Sequence, residues 1–477
     1  MKLVYLSAEV YPFSKVGGLA DVAGSLPIQL KNNGVDIIVL SPFYSKFIKI
    51  ENYKVNEIFE DSINFGSEIN KIKWINIFHK GVSFYLLSHE DFFGRDYIYV
   101  PPTGEDQNQY KRFAFFSLAS LLFLKKINFK PDIIHINDWH TSFVPIYLET
   151  KFKDEEFFKD TKTLLTIHNL SYQGVYRKEV LREIEIDEPS DIFLKDGNVN
   201  FLKAGILLSD YINTVSPTYA KEIMTPQLGY GLDDVLKSKK DKVFGILNGI
   251  DYEEWNPETD KEIYKNFNIN NFREGKEINK RMLREELSLA HDNSLLAGMV
   301  SRLTYQKGVD LLIESFDEFF KRDIQFILLA TGEKRYEDKI KEYETKYKEK
   351  FRFIPRFDIV LSKKIYAGSD LFLIPSVFEP CGLTQMISMR YGTIPFAYKT
   401  GGLADTVVDY EDGGSGFLFS EYNKESFIKK LDKIISVFKI KSEWEKIIES
   451  CMKKDFSWEK SAREYLNLYM KIKYEKL

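Results

Sequence analysis

Short apolar runs rich in β-branched and aromatic residues alternate with longer amphipathic stretches, and the alternation starts again after about residue 250. In the first half the runs fall at residues 3–7, 36–40, 83–87, 133–136, 163–167 and 211–215. In the second half they fall at residues 295–300, 325–330, 371–374, 394–397 and 416–419. Near-continuous apolar strands separated by helix-length segments predict parallel sheets covered on both faces, the α/β class. Residues 308–321 show the helical pattern, with Val309, Leu312, Phe316 and Phe319 or Phe320 at helical spacing. The 477 residues exceed a single core, which stops growing near ~250–300 residues. A boundary is expected near residue 246, giving domains at 1–245 and 246–457.

Charge and composition exclude several roles. The balance is 71 acidic against 67 basic residues, a net charge of −4, so no global basic field exists to attract nucleic acid or an anionic membrane. The longest apolar stretch, residues 113–124, is shorter than the ~18 residues of a membrane span and predicts a core helix. The apolar run at the start of the chain stops at Glu9, too early for a secretory leader. Cys381 and Cys451 are too few for a disulfide framework or a cysteine-rich metal site, which fits a reducing, cytoplasmic setting.

One internal repeat stands out. Lys15-Val16-Gly17-Gly18-Leu19-Ala20-Asp21 recurs as Lys399-Thr400-Gly401-Gly402-Leu403-Ala404-Asp405, matching at six of seven positions. Each copy is a Gly-Gly turn followed by helix-forming sequence. Glycine lets backbone approach a ligand, and a helix start offers unpaired N–H groups to an anion. Two such turns in two similar domains are suited to one anionic ligand. The same pattern also fits two ordinary strand-to-helix turns.

The motifs of several enzyme classes are missing: no G-x-G-x-x-G, no G-x-x-x-x-G-K-[ST], no H-E-x-x-H and no G-x-S-x-G occurs. There is also no D-x-D, so a diphosphate bound here would be met by basic side chains and backbone amides. Ser301-Arg302-Leu303-Thr304-Tyr305-Gln306-Lys307-Gly308 follows a buried run, at the kind of strand end where open α/β sheets bind ligands. Arg302 is able to grip phosphate oxygens bidentately and Lys307 adds a compact charge. The run from Pro375 through Phe378-Glu379-Pro380-Cys381-Gly382-Leu383-Thr384 also follows an apolar run. There Gly382, Leu383 and Thr384 are placed to present amides, and Glu379 suits sugar or ribose hydroxyls, or a salt bridge. In the first half, Asn137-Asp138-Trp139-His140 and His168-Asn169-Leu170-Ser171-Tyr172 end neighbouring strands. They are expected to bring Asp138, His140, His168, Asn169 and Tyr172 to one edge. No metal-ligand spacing accompanies the two histidines.

Together these segments resemble the bacterial glycogen synthase and plant starch synthase family. The resemblance covers most of the chain, through Lys15 to Leu19, Asn137 to His140, His168 to Leu170, Val215-Ser216-Pro217-Thr218-Tyr219-Ala220, Asn248-Gly249-Ile250-Asp251, Ser301 to Gly308, Glu379 to Gln385, and Lys399 to Asp405. It implies two Rossmann-like domains facing across a deep cleft, the GT-B type. It also implies transfer of glucose from ADP-glucose to the non-reducing end of an α-1,4-glucan such as glycogen, with retention. The resemblance further implies that no metal or cofactor takes part, and that residues 458–477 form a helix packing back on the first domain.

By position, Arg302 and Lys307 match the family's diphosphate-binding pair and Glu379 the glutamate of its nucleotide-sugar site. His168 matches the histidine beside the transferred glucose, and Asp138 an acidic residue on the acceptor side. Lys15, Gly17 and Gly18, with Asp21 in the same motif, match the loop near the phosphates and glucose. Asn169, Asn248, Gly382, Leu383 and Thr384 fall in matched substrate-binding segments, and Phe357 where an aromatic stands near the adenine. Many relatives of the same fold carry a second glutamate eight positions after the first; here that position is Ile387. No nucleophile is placed, so the expectation is front-face transfer, with charge growing on a diphosphate held by cations. A site drawing on both halves is expected to close around its substrates and exclude water. Rival readings are a relative using UDP-glucose or a small acceptor, and a catalytically silent glucan-binding protein.

Overall fold

The computed structural model describes residues 1–101, 104, 106–186 and 191–475. The chain forms two compact units, Met1–Gly249 with Trp458–Leu477, and Ile250–Ser457. The first unit extends past residue 245 because the Ile246 amide donates to the Thr214 carbonyl at 2.9 Å, continuing the first sheet. Ile250 instead donates to Phe456 at 2.8 Å and opens the second unit.

The strands of the first unit are β1 (Lys2–Leu6), β2 (Asp36–Pro42), β3 (Val55–Phe65), β4 (Glu68–His79), β5 (Val82–Ser88), β6 (Ile133–Asn137), β7 (Lys162–Ile167), β8 (Val175–Arg177), β9 (Leu194–Lys195), β10 (Asn198–Asn200), β11 (Tyr211–Thr214) and β12 (Val243–Gly245). Nine of them make one sheet in the order β12-β11-β7-β6-β1-β2-β5-β4-β3. The run from β12 to β5 is parallel, with Val4 in register with Ile38 on one side and Ile134 on the other. The β5–β4 and β4–β3 pairs are antiparallel. This hairpin departs from the all-parallel expectation. Its strands are exposed along much of their length and carry Glu57, Glu60, Lys71 and Lys73, a half-solvated pattern that a search for continuous apolar runs passes over. A second departure is the small antiparallel sheet β8-β10-β9, whose strands are only two or three residues long.

The second unit holds β13 (Leu295–Leu303), β14 (Ile324–Gly332), β15 (Phe351–Ile354), β16 (Leu371–Ile374), β17 (Ile394–Tyr398) and β18 (Phe417–Phe419). Their order is β15-β14-β13-β16-β17-β18 and every pair is parallel. Numbered from β13, this is the doubly wound 3-2-1-4-5-6 arrangement. Strand order reverses between β13 and β16 here, and between β1 and β6 in the first sheet. Loops leaving two such strands at their carboxyl ends diverge and open a crevice.

The first core stacks Leu3, Tyr5, Val39, Phe84 and Ile133 with Leu26 and Leu30 of the Gly18–Asn32 helix. The Trp458–Tyr474 helix belongs to this core through Trp458, Tyr465, Leu468, Tyr469 and Ile472. Buried polar contacts fix its register: Tyr469 Oη lies 2.7 Å from His135 Nδ1, and Asn213 Nδ2 donates to Tyr465 Oη at 3.0 Å. Residues 113–124 lie in the Gln109–Lys126 helix, almost wholly buried as an interior helix should be. No helix among the described residues is long and apolar enough to cross a membrane.

Candidate active site

In the second unit, the loops after β13 and β16 meet at the switch point. The Val377 amide donates to the Gln306 carbonyl at 2.9 Å, stitching them together. Gly308 turns there with φ +73°, and a Cβ at this position would stand 1.8 Å from the Pro375 carbonyl oxygen. Only glycine fits so close an approach in a left-handed conformation.

The loops frame a cleft of about 120 Å³ lined by Ser301, Arg302, Lys307, Ser376, Glu379 and Thr384, with apolar walls from β13 and β16. Lys307 Nζ lies 2.6 Å from Glu379 Oε2, which also accepts from Ser376 Oγ at 2.9 Å. Glu379 is therefore salt-bridged. Arg302, exposed at the mouth, has no carboxylate partner among the described residues. The three charged groups sum to one net positive charge, carried by the guanidinium.

The second copy of the repeat buttresses this cleft from behind. Gly401 has φ +43° and its Cβ would lie 2.1 Å from the Glu379 carbonyl oxygen. The Gly402 amide donates to that carbonyl at 3.0 Å. Gln385 Nε2 bonds the Cys381 and Gly382 carbonyls, each at 2.9 Å, holding the turn that carries Gly382 and Leu383. Phe357 stands beyond β15, two strands from β13, and is 87% exposed.

In the first unit the switch-point loops after β1 and β6 carry carboxylates. Asp138 has φ +55° and is buried. Its Oδ1 accepts from the His168 amide at 2.7 Å, and the Asn169 amide also donates to the carboxylate. Burial nonetheless lifts its carboxyl to about 7, with the charge of Glu9 contributing. Glu9 is 1% exposed and accepts from the amides of Val16 and Gly17 and from the Tyr99 hydroxyl. Burial lifts Glu9 to about 7 as well. The two amides just before the helix start of the first repeat, those of Val16 and Gly17, are therefore taken by the chain's own carboxylate. Lys15 pairs with Asp21 at 2.6 Å, and Gly18 opens the helix.

His168 Nε2 lies 2.9 Å from Asn137 Oδ1. Asn137 Nδ2 donates to the Leu6 carbonyl at 2.8 Å, so its oxygen must face the imidazole. Nε2 therefore carries the hydrogen and Nδ1 is an acceptor. Enclosure of the ring holds His168 down to about 3, so it is neutral at physiological pH.

His140 does not join this edge. Its ring is buried against Tyr99, Phe113 and Trp139, and burial holds it to about 3, so it is a packing residue. Asn248 follows β12, three strands from β6, with its buried Oδ1 unpartnered among the described residues. No group of three metal-ligating side chains occurs among the described residues.

Beside Asp138, a groove of about 780 Å³ is lined by Asn108, Trp139, Tyr172, Gln173, Tyr176 and Tyr230, among others. Tyr172 is 56% exposed. Gly174, with φ +62°, lies flat on Trp139, where a Cβ would come within 2.4 Å of the indole. From sequence, Glu9 has no role beyond ending the first apolar run, Tyr99 is not singled out, and Tyr172 is not read as part of a groove. A charged residue closing the first buried run of the chain was the available signal for Glu9; Tyr99 carried none.

The geometry is thus a cationic cleft on one doubly wound sheet and, on the other, a neutral imidazole beside a carboxylate of raised pKa. Comparison with known proteins identifies the family. Residues 2–238 match the starch synthase catalytic domain family and residues 283–448 the glycosyl transferases group 1 family. The glycogen synthase of Thermosipho africanus is 45% identical over 99% of both chains, and that of Thermotoga maritima 41% identical over 99% of both.

The chain belongs to the glycogen synthase family.

It is a glycosyltransferase with the two-domain GT-B type of fold. The catalytic domain of starch synthase IV from Arabidopsis thaliana, solved with ADP and acarbose, superposes with a TM-score of 0.89 at 34% identity, covering 99% of each chain. A sucrose-phosphate synthase from Thermosynechococcus elongatus shares the fold alone, with a TM-score of 0.60 at 16% identity. As a member of this family, the enzyme takes a nucleotide-sugar donor and a glucan acceptor.

Proposed function

We propose that this enzyme transfers glucose from ADP-glucose to the non-reducing end of an α-1,4-glucan, with retention and without a metal or other cofactor. The observation that carries the reading is the cleft where Arg302, with no acidic partner among the described residues, stands beside Lys307 at a switch point. A leaving diphosphate gathers negative charge, and fixed cations lower the barrier by meeting it. ADP recognition follows from the family and from ADP bound to the starch synthase IV relative.

In this reading, the diphosphate takes Arg302 and competes with Glu379 for Lys307. Glu379, released, accepts hydroxyls of the donor. The turn at Gly382, Leu383 and Thr384 lies under the phosphates, and exposed Phe357 stacks with the base. Neutral His168 accepts a glucose hydroxyl at Nδ1. Lys15, steadied by Asp21 until a ligand arrives, adds charge on the turn of Gly17 and Gly18. Asp138 and Asn169 orient the incoming hydroxyl, and the diphosphate takes its proton as the new bond forms on the face the leaving group vacates. Asn248 supports the substrate through its free Oδ1. The aromatic groove beside Asp138 receives the glucan, its rings stacking on sugar faces. The reaction belongs in the cytoplasm, where nucleotide sugars and reduced cysteines coexist.

Proton NMR of the product from ADP-glucose and maltoheptaose tests this directly. A new α-anomeric signal with maltoheptaose lengthened by one glucose is expected. A β-anomeric product, or hydrolysis alone, would overturn it.

A further inference from the structure

In the first copy of the repeat, the two amides just before the helix start are taken by the carboxylate of Glu9. Glu9 stands three residues past the end of β1, and Ser7 Oγ fixes its backbone by donating to the Glu9 carbonyl at 2.6 Å. From there the side chain reaches the amides of Val16 and Gly17, the latter at 3.2 Å. In the second copy, the Gly402 amide meets the backbone carbonyls of Glu379 and Pro380, at 3.0 and 3.2 Å.

We propose that Glu9 is a positioning residue for the donor: its carboxylate fills the amide nest of the Lys15–Gly18 turn, fixing Lys15 as the turn's cation, and couples that turn to Asp138. The proposal rests on the donor reading above and adds to it a residue that touches neither substrate. A flexible Gly-Gly turn has many conformations, and two charge-assisted hydrogen bonds from a rigid strand end select one. With the nest filled, the loop meets a phosphate through the Lys15 side chain and not through the Val16 and Gly17 amides.

The coupling follows from the same placement. Asp21 of the Gly18–Asn32 helix, Tyr99 of the loop before the Gln109–Lys126 helix, Tyr44 beyond β2 and Asp138 beyond β6 all act electrostatically with Glu9. Arg112 acts on Tyr44 from the Gln109–Lys126 helix. Both carboxyls are buried, and the charge of Glu9 raises the pKa of Asp138. Removing the charge of Glu9 therefore lets Asp138 ionise at lower pH.

The test uses the full chain with Glu9→Gln and Glu9→Asp. Glutamine keeps the size but removes the charge and one of the two acceptors. Aspartate keeps the charge and shortens the reach. Initial rates are taken against ADP-glucose and, separately, against glycogen, from pH 5 to 9. For E9Q, kcat/KM for ADP-glucose is expected to fall ~10-fold or more, as for loss of a charged hydrogen bond, while KM for glycogen stays within about twofold. The acid limb of its profile is expected to move to lower pH. For E9D, the donor effect is expected with the acid limb unmoved. Either variant at wild-type donor kcat/KM, or E9Q with an unmoved acid limb, overturns the proposal. Should E9Q fail to give a cooperative melt, E9D decides the positioning claim alone. The wild-type rate with ADP-glucose separates failure of the donor reading, which would abolish the reference rate itself, from failure of this proposal, which leaves that rate intact.

Discussion

Lys307 Nζ and Glu379 Oε2 form a 2.6 Å ion pair on the loops that leave β13 and β16, with both side chains largely withdrawn from solvent. The pair neutralises itself, so the attraction of the cleft for an anion rests first on Arg302. Binding a diphosphate then means exchanging one partner of Lys307 for another.

That arrangement separates stability from catalysis. Lys307→Ala leaves Glu379 buried without its cation, which costs about 3–5 kcal/mol by analogy with broken buried pairs. The double variant K307A/E379Q removes the stranded charge. It is expected to recover most of the melting temperature of the wild type and none of the turnover. Thermal melts and donor turnover on the three proteins check this.

Arg302→Ala is the converse case. The guanidinium is exposed and has no carboxylate partner among the described residues, so its loss leaves the melting temperature within about 1 °C. Turnover is expected to fall roughly 10²-fold or more, the effect of removing one preorganised group from a developing negative charge. A variant with near-wild-type turnover would remove the leaving-group argument.

Asp138 gives a pH-dependent stability with a defined sign. Its carboxyl is raised from 3.8 to about 7 in the fold. The native state therefore binds a proton between about pH 4 and 7 that the unfolded chain has released. The stabilisation is fully present below pH 4 and is lost as pH rises through 7, on the order of 4 kcal/mol at most. Asparagine does not titrate. The melting temperature of Asp138→Asn relative to wild type should therefore rise from pH 5 to pH 8.5, while transfer activity falls at both.

Glycine at 401 is required by space as well as by dihedral. Gly401→Ala puts a methyl 2.1 Å from the Glu379 carbonyl oxygen. It is expected to lower the melting temperature and raise the donor KM by displacing that turn. Gly413 also has positive φ, +73°, but open space around it. Gly413→Ala pays only the backbone strain, about 1–2 kcal/mol, and should leave the donor KM unchanged.

Tyr172 tests the groove. Its half-exposed ring beside Asn169 is where a glucan would stack. Tyr172→Ala is expected to raise KM for glycogen ~3–10-fold, the range of one aromatic contact, with KM for ADP-glucose unmoved.

Much of this was legible in the sequence because it lies in buried parallel strands and the turns that follow them. Such strands are continuous apolar runs, and the residues after β6, β7, β13 and β16 stand at their ends by necessity. The repeat was visible because Gly-Gly turns have few substitutes. The hairpin β3–β4 was not visible because one face is solvated, nor was the sheet β8-β10-β9, whose strands are too short for a period to register. Glu9 escaped because its role depends on a turn seven residues onward folding back over it. His140 was placed at the edge from its neighbours, whereas the aromatic rings around it draw it into the core.

The most direct test of the account is chain extension of glycogen, with ADP-glucose or UDP-glucose as donor and a chelator present throughout. The account predicts that ADP-glucose lengthens the glucan chains at a rate the chelator does not change, with UDP-glucose a poor substitute. Extension that stops on chelation and returns with a divalent cation, or that proceeds with UDP-glucose and not ADP-glucose, would contradict it.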